Sequence, residues 1–176
     1  TAAITKGKIK IDKINPKYLH TELQVLKKIG CNLKIKNSSI EIAVKKKLKP
    51  TKIITGPFPK FATDNMPPLM AVLTKADGKS EIYETIFSNR FQAVPELKRM
   101  GASINIKRNK ATIIGQDKLY GAECISSDLR TTFSIILGAI AASGISIINR
   151  VYHGFRGYYN LDKKLKKIGI DIKKVS

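Results

Sequence analysis

Acidic side chains, arginine and cysteine are all scarce in this sequence. Only 13 aspartate and glutamate residues stand against 33 lysine and arginine residues, so the net charge is +20. Six of the cations are arginines, and nearly all of the excess charge therefore comes from lysine. The lysines are spread over predicted helix ends and strand faces, which favours a solvated surface. A nucleic acid, a membrane surface or a phosphorylated metabolite as an anionic partner is the alternative.

The two cysteines, Cys31 and Cys124, are too few for a disulfide framework and lack the spacing of a metal site. Both lie in apolar, strand-like segments, so we expect buried, unreactive thiols in a cytoplasmic protein. The longest apolar stretch, residues 133–148, is broken by serine and glycine and is too short to span a bilayer. We find no signal-peptide pattern, Walker loop, Ser-His-Asp set or metal cluster, and we expect no membrane partner.

One short phrase occurs three times in the chain. Each copy has a leucine, two cations, an apolar residue and a glycine: Leu26-Lys27-Lys28-Ile29-Gly30, Leu97-Lys98-Arg99-Met100-Gly101 and Leu165-Lys166-Lys167-Ile168-Gly169. Cations in a last turn followed by glycine predict a helix that ends in a left-handed cap. The glycines are 71 and 68 residues apart, and such a period predicts one structural unit used several times.

We predict a single α/β domain of three units, at about residues 1–50, 51–115 and 116–176. The full unit is expected to follow a βαβαββ order. Residues 2–7 match only the end of the first helix of unit two. We therefore expect a truncated first unit and a chain that is part of a longer polypeptide.

Individual elements are predicted for units two and three. In unit two, Thr63-Asp64 is expected to cap a helix that runs to Lys75. In unit three we expect a helix over 129–142, a loop over 153–157, a helix over 158–168 and a final strand over 171–175.

Aligning units two and three on their glycines brings out five polar residues. The start of the first helix carries Asp64 and Asp128, and the loop before the second helix carries Arg90 and Arg156. Arg130 lies one turn inside the first helix of unit three. Arginines near helix N-termini suit phosphate and carboxylate groups, so we expect a small polyanionic ligand.

Simpler interpretations of the same residues stay open. Asp64 and Asp128 could be plain helix caps. Phe87, close to Arg90, belongs either to the core or to a surface that lines a base or sugar.

Several motifs resemble one known family. They are Thr63-Asp64, Ser88-Asn89-Arg90-Phe91, Val94-Pro95-Glu96-Leu97, Arg99-Met100-Gly101-Ala102, Gly121-Ala122, Asp128-Leu129-Arg130 and Tyr152-His153 with Arg156-Gly157-Tyr158. These motifs resemble the UDP-N-acetylglucosamine 1-carboxyvinyltransferases, enolpyruvyl transferases of the first committed step of peptidoglycan synthesis. The resemblance covers nearly the whole chain and is most specific from about residue 51 to 169.

The resemblance implies a fold and partners. Each enzyme of that family has two domains, and each domain is an inside-out α/β barrel of three such units. This chain resembles one domain with a truncated first unit, so a second domain is an implied partner. The implied substrates are UDP-N-acetylglucosamine and phosphoenolpyruvate, and no cofactor or metal is implied.

The resemblance also implies residue roles on the sugar side. Asp64 matches the aspartate that contacts the sugar 3-hydroxyl and acts as its base. Ile86 matches a position whose backbone contacts the UDP-sugar, and Phe87 lies beside it.

Further roles concern the anionic site. Arg90, Arg130 and Arg156 match its arginines, with Arg156 closest to phosphoenolpyruvate. Asp128 matches an aspartate near the reacting centre. The family's proton-donor cysteine belongs to the other domain, and neither cysteine of this chain matches it.

Three positions depart from the family pattern: Met66 replaces a glutamine, Ser88 a glutamate and Phe155 an aspartate. Two rival interpretations share the repeat fold. One is the sister enolpyruvyl transferase that acts on shikimate 3-phosphate. The other is an RNA-binding or RNA-end-processing protein, which the charge of +20 would suit.

Overall fold

A computed structural model describes residues 1–175 of the chain and alternates helices with strands. The first third contains α1 (Ala2–Thr5), β1 (Lys8–Asp12), α2 (His20–Lys28), β2 (Asn32–Lys36) and β3 (Ser39–Ala43). The middle contains β4 (Lys52–Ile54), α3 (Met66–Leu73), β5 (Lys79–Tyr83), α4 (Val94–Arg99), β6 (Ser103–Lys107) and β7 (Lys110–Ile114). The last third contains β8 (Leu119–Tyr120), β9 (Glu123–Ile125), α5 (Leu129–Ala141), β10 (Ala142–Ser143), β11 (Ile147–Asn149), α6 (Tyr152–Phe155) and α7 (Leu161–Lys167). Two 3-10 helices, Pro16–Leu19 and Thr63–Asn65, precede α2 and α3.

Within residues 1–175 the strands form four separate sheets. One has the order β1-β3-β2, another has the order β4-β5-β7-β6, and the pairs β10-β8 and β11-β9 are parallel. β4 runs parallel to β5, as expected for strands joined through a helix, whereas β6 and β7 form an antiparallel hairpin. The α/β class is therefore confirmed. The inside-out barrel predicted from the resemblance does not appear as a closed sheet within residues 1–175.

All three glycine caps predicted from the repeated phrase are confirmed. Gly30, Gly101 and Gly169 have φ angles of +100°, +88° and +88°. They follow α2, α4 and α7, each of which ends at the second cation of its phrase. Glycine has no Cβ and adopts this left-handed conformation without a steric penalty.

The centre of the fold is helical. Almost every residue of α3 is buried, which fits its apolar sequence MPPLMAVL. α3 packs against α5, and α5 packs against α1. Because α3 and α5 are held by these contacts, the residues at their N-terminal ends are placed with little freedom.

Unit three departs from the prediction in three places. The expected loop over 153–157 contains α6, and the second helix begins at Leu161 rather than Tyr158 because Asn160 adopts a left-handed φ of +50°. Residues 171–175 form no strand. The equivalent strands β2 and β6 pair with the hairpin strands β3 and β7, and residues 171–175 have no such neighbour in the described part of the chain.

Asp64 does not cap α3, so that prediction was wrong. Asp64 lies in the 3-10 helix Thr63–Asn65, and Asn65 occupies the cap position without a side-chain cap hydrogen bond. Pro67 and Pro68 in the first turn have no N–H, so fewer donors there need a partner. The Asp64 carboxylate is consequently available for other contacts.

Cys31 and Cys124 are both free and buried, as predicted. Burial raises the pKa of the Cys31 thiol. Burial, with a further contribution from Glu96, raises the pKa of Cys124 to about 11. Both thiols are therefore protonated, and poorly nucleophilic, at neutral pH. The longest helix, α5, has 13 residues, and no helix within residues 1–175 is long and apolar enough to cross a bilayer.

Candidate functional site

Asp64 joins two arginines from different parts of the chain. Its Oδ1 accepts a hydrogen bond of 2.7 Å from Arg130 Nε and forms a 3.3 Å ion pair with Arg90 Nη2. Asp64 lies immediately before α3, Arg90 in the loop after β5, and Arg130 in the first turn of α5. Three segments that are distant in sequence thus meet at one carboxylate oxygen.

The second oxygen of Asp64, Oδ2, is not the atom that the two arginines contact. Oδ2 has no hydrogen-bond partner among residues 1–175, and 58% of the side chain is exposed. The hydrogen bond from Arg130 lowers the pKa of Asp64, and the charges of Arg130 and Arg90 add to this effect against a smaller opposing effect of burial. Asp64 is therefore an ionised carboxylate at neutral pH, held at Oδ1 and open at Oδ2.

Arg90 is more enclosed than the aspartate that it contacts. Only 14% of its side chain is exposed, its guanidinium carbon lies 4.4 Å from the centroid of the Phe87 ring, and its Nε is buried without a partner in the described residues. Phe87 itself is half exposed, at 52%. The exposed ring beside a held guanidinium favours the surface interpretation of Phe87 over the core interpretation.

Asp128 is the N-cap of α5. Its Oδ1 accepts hydrogen bonds from the backbone N–H groups of Arg130 and Thr131, at 2.8 and 3.1 Å. Partial burial acts to raise the pKa of Asp128, but the hydrogen bonds from Thr131, Arg130 and Ser127 outweigh it and the pKa is lowered. Asp128 therefore stabilises the turn that carries Arg130. Its predicted contact with substrate stays a prediction.

Arg156 makes no hydrogen bond or ion pair with any residue from 1 to 175. It is exposed and follows α6, whose backbone lies against the start of α5. A Cβ added at Gly154 would lie 2.5 Å from Thr132, and one added at Gly157 would lie 2.7 Å from Leu129. These close approaches place the segment around Arg156 beside the first turn of α5, where Arg130 lies.

Sequence reasoning missed one residue at this site, Glu84. Its side chain is buried, and Oε1 accepts hydrogen bonds from the backbone N–H groups of Ile86 and Phe87, at 2.7 and 3.0 Å. Its Oε2 accepts a 2.7 Å hydrogen bond from the Thr63 hydroxyl. The only signal in the sequence was an acidic residue at a strand end in a chain with few of them, which says nothing about burial.

The chemistry available here is anion binding and proton acceptance. Guanidinium groups suit phosphate and carboxylate, and an ionised aspartate can take a proton from a hydroxyl. No group of three histidine, cysteine, aspartate or glutamate side chains with metal-binding geometry occurs within residues 1–175.

Comparisons with known proteins find relatives of this chain by sequence and by structure. A relative from Pelagibacter ubique, named UDP-N-acetylglucosamine 1-carboxyvinyltransferase, is 47% identical over 175 residues, which is 99% of this chain and 42% of that protein. The crystal structure of the enolpyruvyl transferase NikO from Streptomyces tendae matches 94% of this chain and 40% of its own, with a TM-score of 0.86 and 24% identity. An EPSP synthase from Acinetobacter baumannii matches 98% of this chain and 42% of its own, with a TM-score of 0.70 and 15% identity.

The structural matches define the class, which is the α/β fold of the enolpyruvyl transferases. The sequence model of the EPSP synthase (3-phosphoshikimate 1-carboxyvinyltransferase) family matches residues 1–165, and the chain belongs to that family. It spans about two fifths of the length of these relatives, at 40–42%.

Proposed function

We propose that this chain is one domain of an enzyme that transfers the enolpyruvyl group of phosphoenolpyruvate to the 3-hydroxyl of UDP-N-acetylglucosamine, in peptidoglycan synthesis. The arrangement of Asp64 carries the proposal. Two arginines hold Oδ1, Oδ2 has no partner in the described residues, and 58% of the side chain is exposed. A carboxylate anchored in this way has one oxygen free to accept a proton from a bound hydroxyl.

The proposed reaction has two steps. Asp64 Oδ2 takes the proton of the sugar 3-hydroxyl while the sugar oxygen bonds to C2 of phosphoenolpyruvate and C3 receives a proton from the other domain. C3 then returns a proton to the other domain, the C2–C3 double bond re-forms, and the C2–O bond to phosphate breaks, so that inorganic phosphate leaves. Arg90 and Arg130 already lie at the carboxylate, and with Arg156 they would neutralise the phosphate and carboxylate charges of the substrate.

The proposal extends to the architecture of the complete enzyme. The three units at about 1–50, 51–115 and 116–176 would form one inside-out α/β domain, and a second domain would close the cleft over Asp64. The enzyme would act in the cytoplasm, where phosphoenolpyruvate and nucleotide sugars are available. The second domain would supply the proton donor that neither buried cysteine of this chain can replace.

The sugar nucleotide is proposed in preference to shikimate 3-phosphate because of the similarity to relatives. The Pelagibacter ubique relative, named UDP-N-acetylglucosamine 1-carboxyvinyltransferase, is 47% identical to this chain. The solved EPSP synthase is 15% identical. The RNA interpretation rests on net charge alone, and no feature of the Asp64 site favours it.

The decisive experiment is a substrate comparison with the complete enzyme that contains this chain. Phosphate release from phosphoenolpyruvate is measured with UDP-N-acetylglucosamine and, separately, with shikimate 3-phosphate. Turnover with the sugar nucleotide is expected. Turnover with shikimate 3-phosphate alone would establish the sister activity instead. If neither acceptor gives phosphate release and the protein binds RNA tightly at moderate salt, the RNA interpretation is supported.

A further inference from the structure

We propose that Glu84 is a positioning residue of this site: it holds the loop that presents the Ile86 backbone and, through Thr63, the turn that carries Asp64. The inference rests on the proposed function, because it concerns the same site. Glu84 is 2% exposed, and its two oxygens accept three hydrogen bonds. A carboxyl group removed from water is costly unless it is well bonded, and each of these three bonds leads to a segment of the site.

The contacts of Glu84 close a ring that includes both Asp64 and Arg90. Glu84 accepts from the Thr63 hydroxyl, and Thr63 precedes Asp64 in the chain. On the other side Glu84 accepts from the backbone of Phe87, whose ring lies under the Arg90 guanidinium. Arg90 returns to Asp64 through the 3.3 Å ion pair. Glu84 is thereby connected to both residues, but the Arg90–Asp64 ion pair and the Arg130–Asp64 hydrogen bond do not involve its carboxyl and remain when it is removed.

Glu84 also sets the direction of a backbone carbonyl. In a trans peptide the N–H and C=O groups point in opposite directions. Because the Phe87 N–H points inward to Glu84, the Ile86 carbonyl points to the opposite side of the loop. No hydrogen bond to that carbonyl occurs within residues 1–175, so it is available to a hydroxyl or N–H group of the sugar nucleotide. Glu84 would thus affect binding of the sugar more than binding of phosphoenolpyruvate.

Glu84 receives no ion pair from any residue between 1 and 175, and all three of its donors are neutral. An amide can therefore replace it. In Glu84→Gln the side-chain oxygen can still accept from Ile86 and Phe87, and the amide N–H can donate to the Thr63 oxygen. Glu84→Ala leaves all three donors without a partner. The pair of variants separates the loss of the contacts from the loss of the acid.

A matched control exists in Glu96. Its side chain is 15% exposed, and its Oε2 accepts a hydrogen bond of 3.0 Å from the backbone N–H of Ile125. Glu96 bonds to backbone as Glu84 does, but it contacts none of Asp64, Arg90 and Arg130. Glu96→Ala reports what the loss of a part-buried carboxyl does to the enzyme in general.

The test measures kcat and both KM values of the complete enzyme, well below the melting temperature of every variant. Glu84→Ala is expected to raise the KM for UDP-N-acetylglucosamine by about 10-fold or more, since small misplacements of binding groups have effects of that order. The KM for phosphoenolpyruvate should change by less than about 3-fold, and Glu84→Gln should restore the sugar KM to within about 3-fold of wild type. Glu96→Ala should lower the melting temperature and leave both KM values unchanged. Equal sugar KM values in Glu84→Ala and Glu96→Ala, or a Glu84→Gln as defective as Glu84→Ala, would overturn the proposal.

Two measurements keep the outcome decisive. If Glu84→Ala does not fold, Thr63→Val replaces it: a raised sugar KM supports the proposal, and an unchanged one overturns it. Amide hydrogen exchange at Ile86 and Phe87 needs no substrate and should be faster in Glu84→Ala than in wild type. Unchanged exchange there would overturn the proposal whichever substrate the enzyme uses. Faster exchange, in an enzyme that turns over only shikimate 3-phosphate, would support the role of Glu84 and overturn only the proposed function.

Discussion

Arg130 Nε donates a 2.7 Å hydrogen bond to Asp64 Oδ1, although the two residues are 66 positions apart. The bond connects the first turn of α5 to the 3-10 helix before α3. The guanidinium of Arg130 holds the Asp64 carboxylate in one orientation and keeps it ionised.

Replacing Asp64 by Asn in the complete enzyme should lower kcat far more than it raises KM. The substitution keeps the size of the side chain but removes the group that accepts the proton. Loss of a general base typically costs about 10²–10⁴ in rate. Steady-state phosphate release measures the effect, and Asp77→Asn, an exposed residue beyond the other end of α3, serves as the control. A kcat near that of wild type would mean that Asp64 only organises the arginines.

The pKa of Asp64 should rise when Arg130 is replaced by Met, because the hydrogen bond that lowers it most is lost. A carbon-13 NMR titration of the Asp64 carboxyl measures the change. In the wild type the midpoint should lie below the ordinary value of 3.8, and in the variant it should move upward. Lys47→Met is the matched control: it removes the 2.9 Å partner of Asp117 and should leave the Asp64 titration unchanged.

The same pair predicts how stability depends on pH. A carboxyl whose pKa is lower in the folded state contributes stability that is fully present above its unfolded pKa and is lost as the pH falls through its folded pKa. The difference in free energy of unfolding between wild type and Arg130→Met should therefore be constant near neutral pH and shrink below 3.8. Denaturant unfolding at several pH values measures it. The effect should be small because Asp64 is 58% exposed.

The accuracy of the sequence predictions follows the range of the interactions that decide each feature. The caps at Gly30, Gly101 and Gly169 depend on five neighbouring residues, and all three were predicted. The strand expected over 171–175 depends on a pairing partner, and that prediction failed.

The site shows the same limit. Asp64, Arg90 and Arg130 were each singled out from sequence. The meeting of Asp64 and Arg130 results from the packing of α3 against α5, and Arg90 joins them from the loop after β5. Glu84 was missed because its bond to Thr63 spans 21 residues and its burial depends on the tertiary fold. Thr63-Asp64 was predicted as a helix cap from residue type, but the 3-10 helix Thr63–Asn65 places Asn65 at the cap position instead.

The isolated chain should show no transferase activity. The chain spans about two fifths of its relatives, and the proposed proton donor lies outside it. The measurement is phosphate release from phosphoenolpyruvate and UDP-N-acetylglucosamine by the purified chain, with the complete enzyme as the positive control. Robust turnover by the chain alone would refute the proposal that a second domain completes the site.

Arg156, rather than the abundant lysines, should determine the affinity for phosphoenolpyruvate. Arg156 is exposed beside the first turn of α5, where Arg130 lies, and has no partner within residues 1–175. Lys45, Lys46 and Lys47 are exposed, and the ion pairs of Lys47 with Asp77 and Asp117 lie beyond the other end of α3.

Arg156→Ala in the complete enzyme is accordingly expected to raise the KM for phosphoenolpyruvate by about 10-fold or more, since a hydrogen bond to a charged group typically contributes about 1.5–3 kcal/mol. The triple variant Lys45→Gln, Lys46→Gln, Lys47→Gln removes three charges and should leave that KM nearly unchanged, because charges beyond a Debye length of about 10 Å are screened at ordinary salt. The opposite result would be a higher KM for phosphoenolpyruvate in the triple variant and an unchanged KM in Arg156→Ala. It would show that the lysine surface binds the anion. Nucleic-acid binding would then explain the charge of +20 better than solvation does.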